Sequence, residues 1–376
     1  MKYVQINAYS GGWADSIIFK KHRELVALGD ESWVFWARGN RKQDEHLQRI
    51  ASYPEVCLDA LLTRLDGKPG FHSKTITRRL LKKLDEIDPD VVHLHLLLGY
   101  YINVEMMFEW LSAHRCKVVW TLHDCWAFTG HCIYFTYVKC DQWRTGCACR
   151  AACPQKRTYP ETFAGDGAVR WSYEQKKRLF TMLPPERVQL ITPSQWLADL
   201  AKQSFLCKYD IEVVHNTINK EIFNPTPSDF RERYGLENRF VVLGVASKWS
   251  ERKGLADFVR LAKDLDSARF AVVLVGLSEK QITQVKASAE QIVALPRTST
   301  PQELAAAYTA ADVFFNPTTE DNYPTVNLEA EACGTPVVTY DTGGCRETVK
   351  DGRSVVVESY EDALNSLEVF GVSSDE

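Results

Sequence analysis

The chain has 376 residues, 45% of them hydrophobic and 25% charged, with a formal net charge of −4. That length allows two ordinary domains with cores of their own, and the charge gives no electrostatic reason for nucleic-acid binding. The opening "MKYVQINAYS" carries no signal-like pattern, and no stretch reaches the ~18 apolar residues of a membrane span, so a cytoplasmic enzyme is expected.

Short apolar runs at 2–6, 32–36, 90–96, 117–122, 188–192 and 211–215 read as strands, with helix-like segments between them. A second series follows at 240–246, 270–275, 291–294, 312–315, 336–340 and 354–357. Such alternation predicts α/β architecture, with parallel sheets covered on both faces. Between the series lies "NTINKEIFNPTPSDF", residues 216–230, rich in Asn, Pro and Thr. The boundary falls there, giving an N-terminal Rossmann-like domain over 1–216 and a C-terminal one over 217–376. Ligands of open parallel sheets bind beyond the C-terminal strand ends, so a cleft between the halves is the expected site.

Four features of the first half stand out. "SGGWADSI", residues 10–17, follows the first strand; Gly11 and Gly12 permit either close backbone approach to a ligand or a plain tight turn. The third glycine of a dinucleotide fingerprint is missing. "HSKTITRRLLKKLDEIDPD", residues 72–90, is helical: Ile76, Leu80, Leu84 and Ile87 make an apolar stripe flanked by Lys74, Arg78 and Lys82. It reads either as a peripheral contact with an anionic membrane or as a solvated helix face. "VVWTLHDCW", residues 118–126, ends a strand on His123 and Asp124, where His123 is a ligand-facing group or a packing residue. Finally, six of the eleven cysteines fall between residues 125 and 153, a local cluster inside an insertion at about 125–160. Cys132, Cys140, Cys147 and Cys153 are the candidate ligands of a closed structural zinc site, although the spacing fits no standard finger; the alternative is a set of reduced thiols.

In the second half, "GVASKWSERKGL", residues 244–255, follows an apolar strand. Lys248 and Lys253 there suit a diphosphate, and Gly254 lets the next helix start close by. "STPQELAAAYTAAD" predicts a helix with Thr300 as N-cap and Pro301 at its first position. "TEDNYPTVNLEAEACGTPVV", residues 319–338, predicts a helix that starts near Pro324 and stops at Gly334. Asp321 would precede that helix and Glu329 would lie on its second turn. The backbone from Asn322 through Tyr323, Pro324 and Thr325 would face an anion, which the helix dipole favours.

"LGVASKWSERKG", "PTTEDNYPTVNLEAEACGTPVV", "DTGGCRE" and "TLHD" together resemble the retaining nucleotide-sugar glycosyltransferases of family four, with the GT-B fold of two Rossmann-like domains facing across a cleft. The likeness covers nearly the whole chain, and "TLHDCWAFTGHC" narrows it toward bacterial enzymes of exopolysaccharide, O-antigen and colanic-acid assembly. It implies that Glu329 holds the nucleotide ribose, that Asp321 lies near the donor sugar, that Lys248 and Lys253 meet the diphosphate and that His123 lies near the sugar. The family's first carboxylate is usually Glu; here the spacing is kept but the residue is Asp321, with Glu320 one position out of register. The resemblance further implies front-face transfer with retention and no catalytic cofactor.

The base-binding loop is expected at "LPRTST", with Pro296 and Arg297, and either a UDP-sugar (favoured) or a GDP-sugar fits. A saccharide or lipid-linked acceptor at the inner face of the cytoplasmic membrane is expected. The helix that usually crosses back to the first domain is expected to be short or missing. A catalytically silent nucleotide-sugar-binding protein and another GT-B enzyme, such as an epimerase, are the competing readings.

Overall fold

The computed structural model describes residues 1–12 and 15–373. The chain divides into two compact units, Met1–Asn216 and Thr217–Glu376. In the first, the strands are β1 (Lys2–Tyr9), β2 (Glu31–Arg38), β3 (Leu47–Arg49), β4 (Val91–Leu94), β5 (Lys117–Thr121), β6 (Val188–Thr192) and β7 (Asp210–Val213). The helices are α1 (Lys20–Ala27), α2 (Tyr53–Asp66), α3 (Lys74–Ile87), α4 (Val104–Ala113), α5 (Asp166–Phe180) and α6 (Gln195–Lys202). The sheet is parallel throughout, in the order β3-β2-β1-β4-β5-β6-β7.

The second unit repeats the plan. It contains α7 (Phe230–Arg233), β8 (Phe240–Val245), α8 (Leu255–Asp264), β9 (Phe270–Val275), α9 (Glu279–Ser288), β10 (Val293–Leu295), α10 (Pro301–Thr309), β11 (Val313–Asn316), α11 (Thr325–Ala332), β12 (Val337–Tyr340), β13 (Val355–Val357) and α12 (Tyr360–Ser373). Its parallel sheet runs β10-β9-β8-β11-β12-β13. The winding reverses between β1 and β4 in one unit and between β8 and β11 in the other. Those are the switch points where an open parallel sheet leaves a crevice at its C-terminal edge.

All twelve predicted strands are present; the central ones are apolar because both faces are buried, as in β9, "FAVVLV", where every residue is buried, whereas the edge strand β7, "DIEV", alternates exposed and half-buried residues. Burying each of the larger side chains of β9 contributes about 1.5–3 kcal/mol. The strand that sequence reading missed is β3, a three-residue edge strand, "LQR", half-buried and without an apolar run. The predicted helix starts also hold. Thr300 Oγ1 accepts the Glu303 N–H with Pro301 in the first turn, and Gly334, at φ 88°, follows the end of α11. α12 packs within the second unit, where Leu367 is buried beside Val338.

The expectation that the apolar stripe of residues 72–90 meets a membrane needs correction. Ile76, Leu80 and Leu84 are buried in the core of the first unit. The stripe is packed inside the first unit and has no surface to offer a bilayer; the basic side of α3 is exposed. Among the described residues, no helix is long and apolar enough to cross a membrane.

Candidate active site

The loops after β8 and β11 lie side by side at the switch point of the second unit. Thr319 N–H donates to the Arg252 carbonyl at 2.9 Å, and Thr318 Oγ1 donates to the same oxygen at 3.2 Å. Gly254 allows this approach: at φ 71°, a Cβ there would stand 2.4 Å from the Pro317 carbonyl oxygen. The clamp brings together residues far apart in sequence. Lys253 Nζ lies 2.5 Å from Asp321 Oδ2, and Arg252 Nη1 lies 3.6 Å from the same oxygen. Asp321 Oδ1 also accepts the Asn322 N–H at 2.9 Å. Burial would raise the Asp321 carboxyl, but Lys253 and Arg252 outweigh it and hold the group below the ordinary carboxylate range.

Sequence reading sent Lys253 and Asp321 to different parts of a ligand; in the structure they form one ion pair, with the Asp321 side chain 14% exposed. Arg252 was missed, although it stands beside Lys253 in "SERKG". Glu320 is fully buried, and its carbonyl accepts from Arg252 Nη1. Asp321 is therefore the carboxylate of this pair that reaches the surface. Gly343 fixes the loop from behind: at φ 59°, an added Cβ would stand 2.0 Å from the Asp321 carbonyl oxygen. Lys248 is exposed, and no ion pair or hydrogen bond ties it to Asp321 among the described residues.

α11 begins directly after this pair. Pro324 occupies the N-cap position without a capping side chain, so the first-turn N–H groups lack the partner a Ser or Asp would supply. Tyr323 and Pro324 are buried, and Thr325 is half-buried. A buried amide chain anchors the helix: Asn316 Nδ2 donates to Asn327 Oδ1, and Asn327 Nδ2 donates to Thr348 Oγ1, each at 2.8 Å. One turn along, Glu329 Oε2 accepts the Tyr308 hydroxyl at 3.1 Å. Burial pushes the Glu329 carboxyl up to about 7, against hydrogen bonds from Tyr308 and Thr325 that lower it. Tyr308, on α10, was also missed. Pro296 and Arg297 are exposed directly after β10.

In the first unit, Gly11 and Gly12 follow β1 and are exposed, with open space where a side chain would stand. Trp13 and Ala14 of "SGGWADSI" lie outside the described residues. His123 follows β5 and joins a stack of three imidazoles. The His93 and His95 ring centroids are 4.0 Å apart, those of His95 and His123 are 5.5 Å apart, and His95 Nδ1 lies 3.3 Å from His123 Nε2. Burial lowers His123 to about 3, so the ring is neutral at physiological pH. His93 and His95 had a readable signal: in "VVHLHLLLG" they stand two apart, on one face of a strand. Burial raises the neighbouring Asp124 to about 6 against the Trp126 N–H and the Lys176 charge.

The four predicted cysteine ligands line one cavity together with His131, Phe135 and Trp143. Gly130 N–H donates to Cys147 Sγ at 3.0 Å. As the side chains stand, no three His, Cys, Asp or Glu groups among the described residues are gathered closely enough to hold a metal ion.

With this geometry established, comparison with known proteins decides the family. The model described as Glycosyltransferase Family 4 matches residues 18–222, more than half of the chain, and the model described as Glycosyl transferases group 1 matches residues 237–367. The chain belongs to Glycosyltransferase Family 4.

A protein of Escherichia coli (strain K12) named as a colanic acid biosynthesis glycosyl transferase, WcaC, is 26% identical over 95% of this chain and 88% of its own. D-inositol 3-phosphate glycosyltransferase 1 of Catenulispora acidiphila is 33% identical over 44% of each chain. Among solved structures, sucrose-phosphate synthase from Thermosynechococcus elongatus superposes with a TM-score of 0.68 at 14% identity, covering 98% of this chain and 89% of that one. Anabaena Alr3699/HepE in complex with UDP-glucose superposes with a TM-score of 0.64 at 16% identity, covering 100% and 91%. The fold is GT-B, and this family member is a glycosyltransferase.

Proposed function

We propose that this glycosyltransferase takes a sugar from a nucleoside diphosphate sugar, with a UDP-sugar favoured, and passes it with retention to a saccharide acceptor, lipid-linked, in surface polysaccharide synthesis. The observation that carries the proposal is the Lys253–Arg252–Asp321 group set against the uncapped N-terminus of α11. Two cations and a helix N-terminus at a switch point make an anion site. The UDP and UDP-glucose complexes of Anabaena HepE support the donor class, and the name of the E. coli relative supports the pathway.

The chemistry follows from charge. As the bond from the sugar anomeric carbon to the β-phosphate oxygen breaks, its electron pair leaves with the diphosphate. Lys253, Arg252, Lys248 and the first-turn N–H groups of α11 would stabilise that growing charge. The acceptor hydroxyl forms the new bond on the same face and gives its proton to the departing phosphate oxygen. No metal takes part in this reading.

Asp321 pairs with Lys253. A bound diphosphate would compete for that lysine and turn the carboxylate toward sugar hydroxyls. Glu329, ionised, would accept both ribose hydroxyls, with Pro296 and Arg297 at the base. Neutral His123 would hydrogen-bond the sugar, and Gly11 and Gly12 would border the donor.

A thermal-shift panel of nucleoside diphosphates and their sugars, followed by a transfer assay against Lys253→Ala, tests the reading. Stabilisation by nucleotide without transfer or donor hydrolysis would leave a silent nucleotide-sugar-binding protein.

We also propose a structural zinc on Cys132, Cys140, Cys147 and Cys153, whose sulfurs would have to turn inward. The support is that all four cysteines line one cavity, together with His131. Elemental analysis of protein expressed with zinc should find about one ion per chain; none would leave reduced thiols.

A further inference from the structure

α2 is built inside out. Its buried residues are Val56, Asp59 and Thr63, and Asp59 accepts hydrogen bonds from the Ser73 and Thr63 hydroxyls. Its outward residues are leucines: Leu58, Leu61, Leu62 and Leu65 are 57%, 52%, 37% and 62% exposed. The spacing i, i+3, i+4, i+7 sets them in one stripe. Exposed Phe163 is tied to the helix by its N–H on the Arg64 carbonyl at 2.8 Å. Single exposed leucines are ordinary, but a continuous apolar stripe marks a contact surface.

The flank identifies the occupant. From Lys74 to Leu84, α3 carries five cations and no carboxylate. Lys74, Arg78 and Lys82 are exposed, and Arg79 pairs with Glu55 of α2 at 2.7 Å, so the basic helix adjoins the leucine-faced one. Arg64, beside the stripe, pairs with Glu161 at 3.8 Å, and the Arg157 guanidinium stands 4.9 Å above the Phe163 ring. An apolar helical face beside cations fits the boundary of an anionic bilayer, with leucines among the acyl chains and cations against the headgroups.

We propose that α2 and Phe163 dock on an anionic lipid surface, with Lys74, Arg78 and Lys82 of α3 as the electrostatic flank. This surface is made of residues outside the donor site, so it stands or falls apart from the transfer reading.

The test is flotation of the full chain, without donor or acceptor, with phosphatidylglycerol-containing vesicles and with pure phosphatidylcholine vesicles. The wild type should float with the anionic vesicles and lose binding as salt rises. Leu61→Gln with Leu65→Gln should cut partitioning by about tenfold or more, while the melting temperature and the nucleotide response stay unchanged. Arg78→Gln with Lys82→Gln should weaken binding to anionic vesicles and flatten the salt dependence. Failure of the wild type to float, or flotation of the leucine variant at the wild-type level, overturns the proposal. So does a dimer in light scattering that the leucine variant dissociates, since the stripe would then serve a second copy of the chain.

Discussion

Replacing Asp321 with Asn keeps the side-chain shape and removes one charge from a tightly paired group. In the native pair, Lys253 Nζ is 2.5 Å and Arg252 Nη1 is 3.6 Å from Asp321 Oδ2, with side-chain exposures of 20%, 17% and 14% for Lys253, Arg252 and Asp321. At an effective dielectric of ~20, two unit charges ~3 Å apart attract by about 5 kcal/mol. Desolvation and side-chain ordering reduce the net value to roughly 1.5–3 kcal/mol. Asp321→Asn should therefore lower the melting temperature of the second unit by about 4–8 °C at pH 7. Because the native carboxyl is held below its ordinary value, the wild-type advantage is present above the unfolded pKa of about 3.9 and fades as pH falls through the lower folded value. The ligand effect has the opposite sign. Without Asp321 to compete, Lys253 and Arg252 are free for a diphosphate, so UDP should bind as well as or better than in the wild type, while sugar transfer falls. Calorimetry with UDP and a transfer assay on the same preparation separate the two effects. Wild-type transfer, or UDP affinity reduced tenfold with stability unchanged, would refute the competition between Asp321 and diphosphate for Lys253.

Lys253→Ala should reduce turnover more than it reduces folding, read as specific activity of the folded fraction beside the melting temperature. It leaves Asp321 with Arg252 alone, so the loss of stability should be larger at pH 7 than at pH 3. Glu329→Gln should weaken nucleotide binding by about 1.5–3 kcal/mol in calorimetry, since a carboxylate that accepts two hydroxyl donors is replaced by a group that can accept through one oxygen. The Glu329 carboxyl is raised to about 7, so the folded protein takes up its proton more readily than the unfolded chain. Wild-type stability therefore gains as pH falls from about 7 toward 4.5 and loses that gain at higher pH. Melting curves at pH 5 and pH 8 should show that gain shrinking in Glu329→Gln, and wild-type UDP affinity should fall between pH 8 and pH 6. Gly343→Ala should destabilise by more than about 1–2 kcal/mol in denaturant melts, because the added Cβ meets the Asp321 carbonyl at a positive φ.

The sequence by itself determined the two sheets, because a parallel strand covered on both faces has to be apolar and twelve such runs stand between helical patterns. Local chemistry was equally legible: Thr300 caps α10, Gly334 follows α11, and the carboxylates at 321 and 329 bracket the helix start. Sequence could nominate Lys253 and Asp321 but not pair them, because they stand 68 positions apart and meet only where β8 and β11 lie side by side. The same holds for Tyr308 and Glu329, and for His123 against His95. Helix faces were the other limit. Both α2 and α3 carry leucines at helical spacing, and periodicity alone cannot tell a stripe that packs on a sheet from one that meets solvent. The tertiary structure decided it: Leu80 and Leu84 of α3 are buried, while α2 turns Asp59 and Thr63 inward and leaves Leu61 and Leu65 outside. Which face of a helix is covered depends on what the rest of the chain packs against it, and that information lies in no single segment.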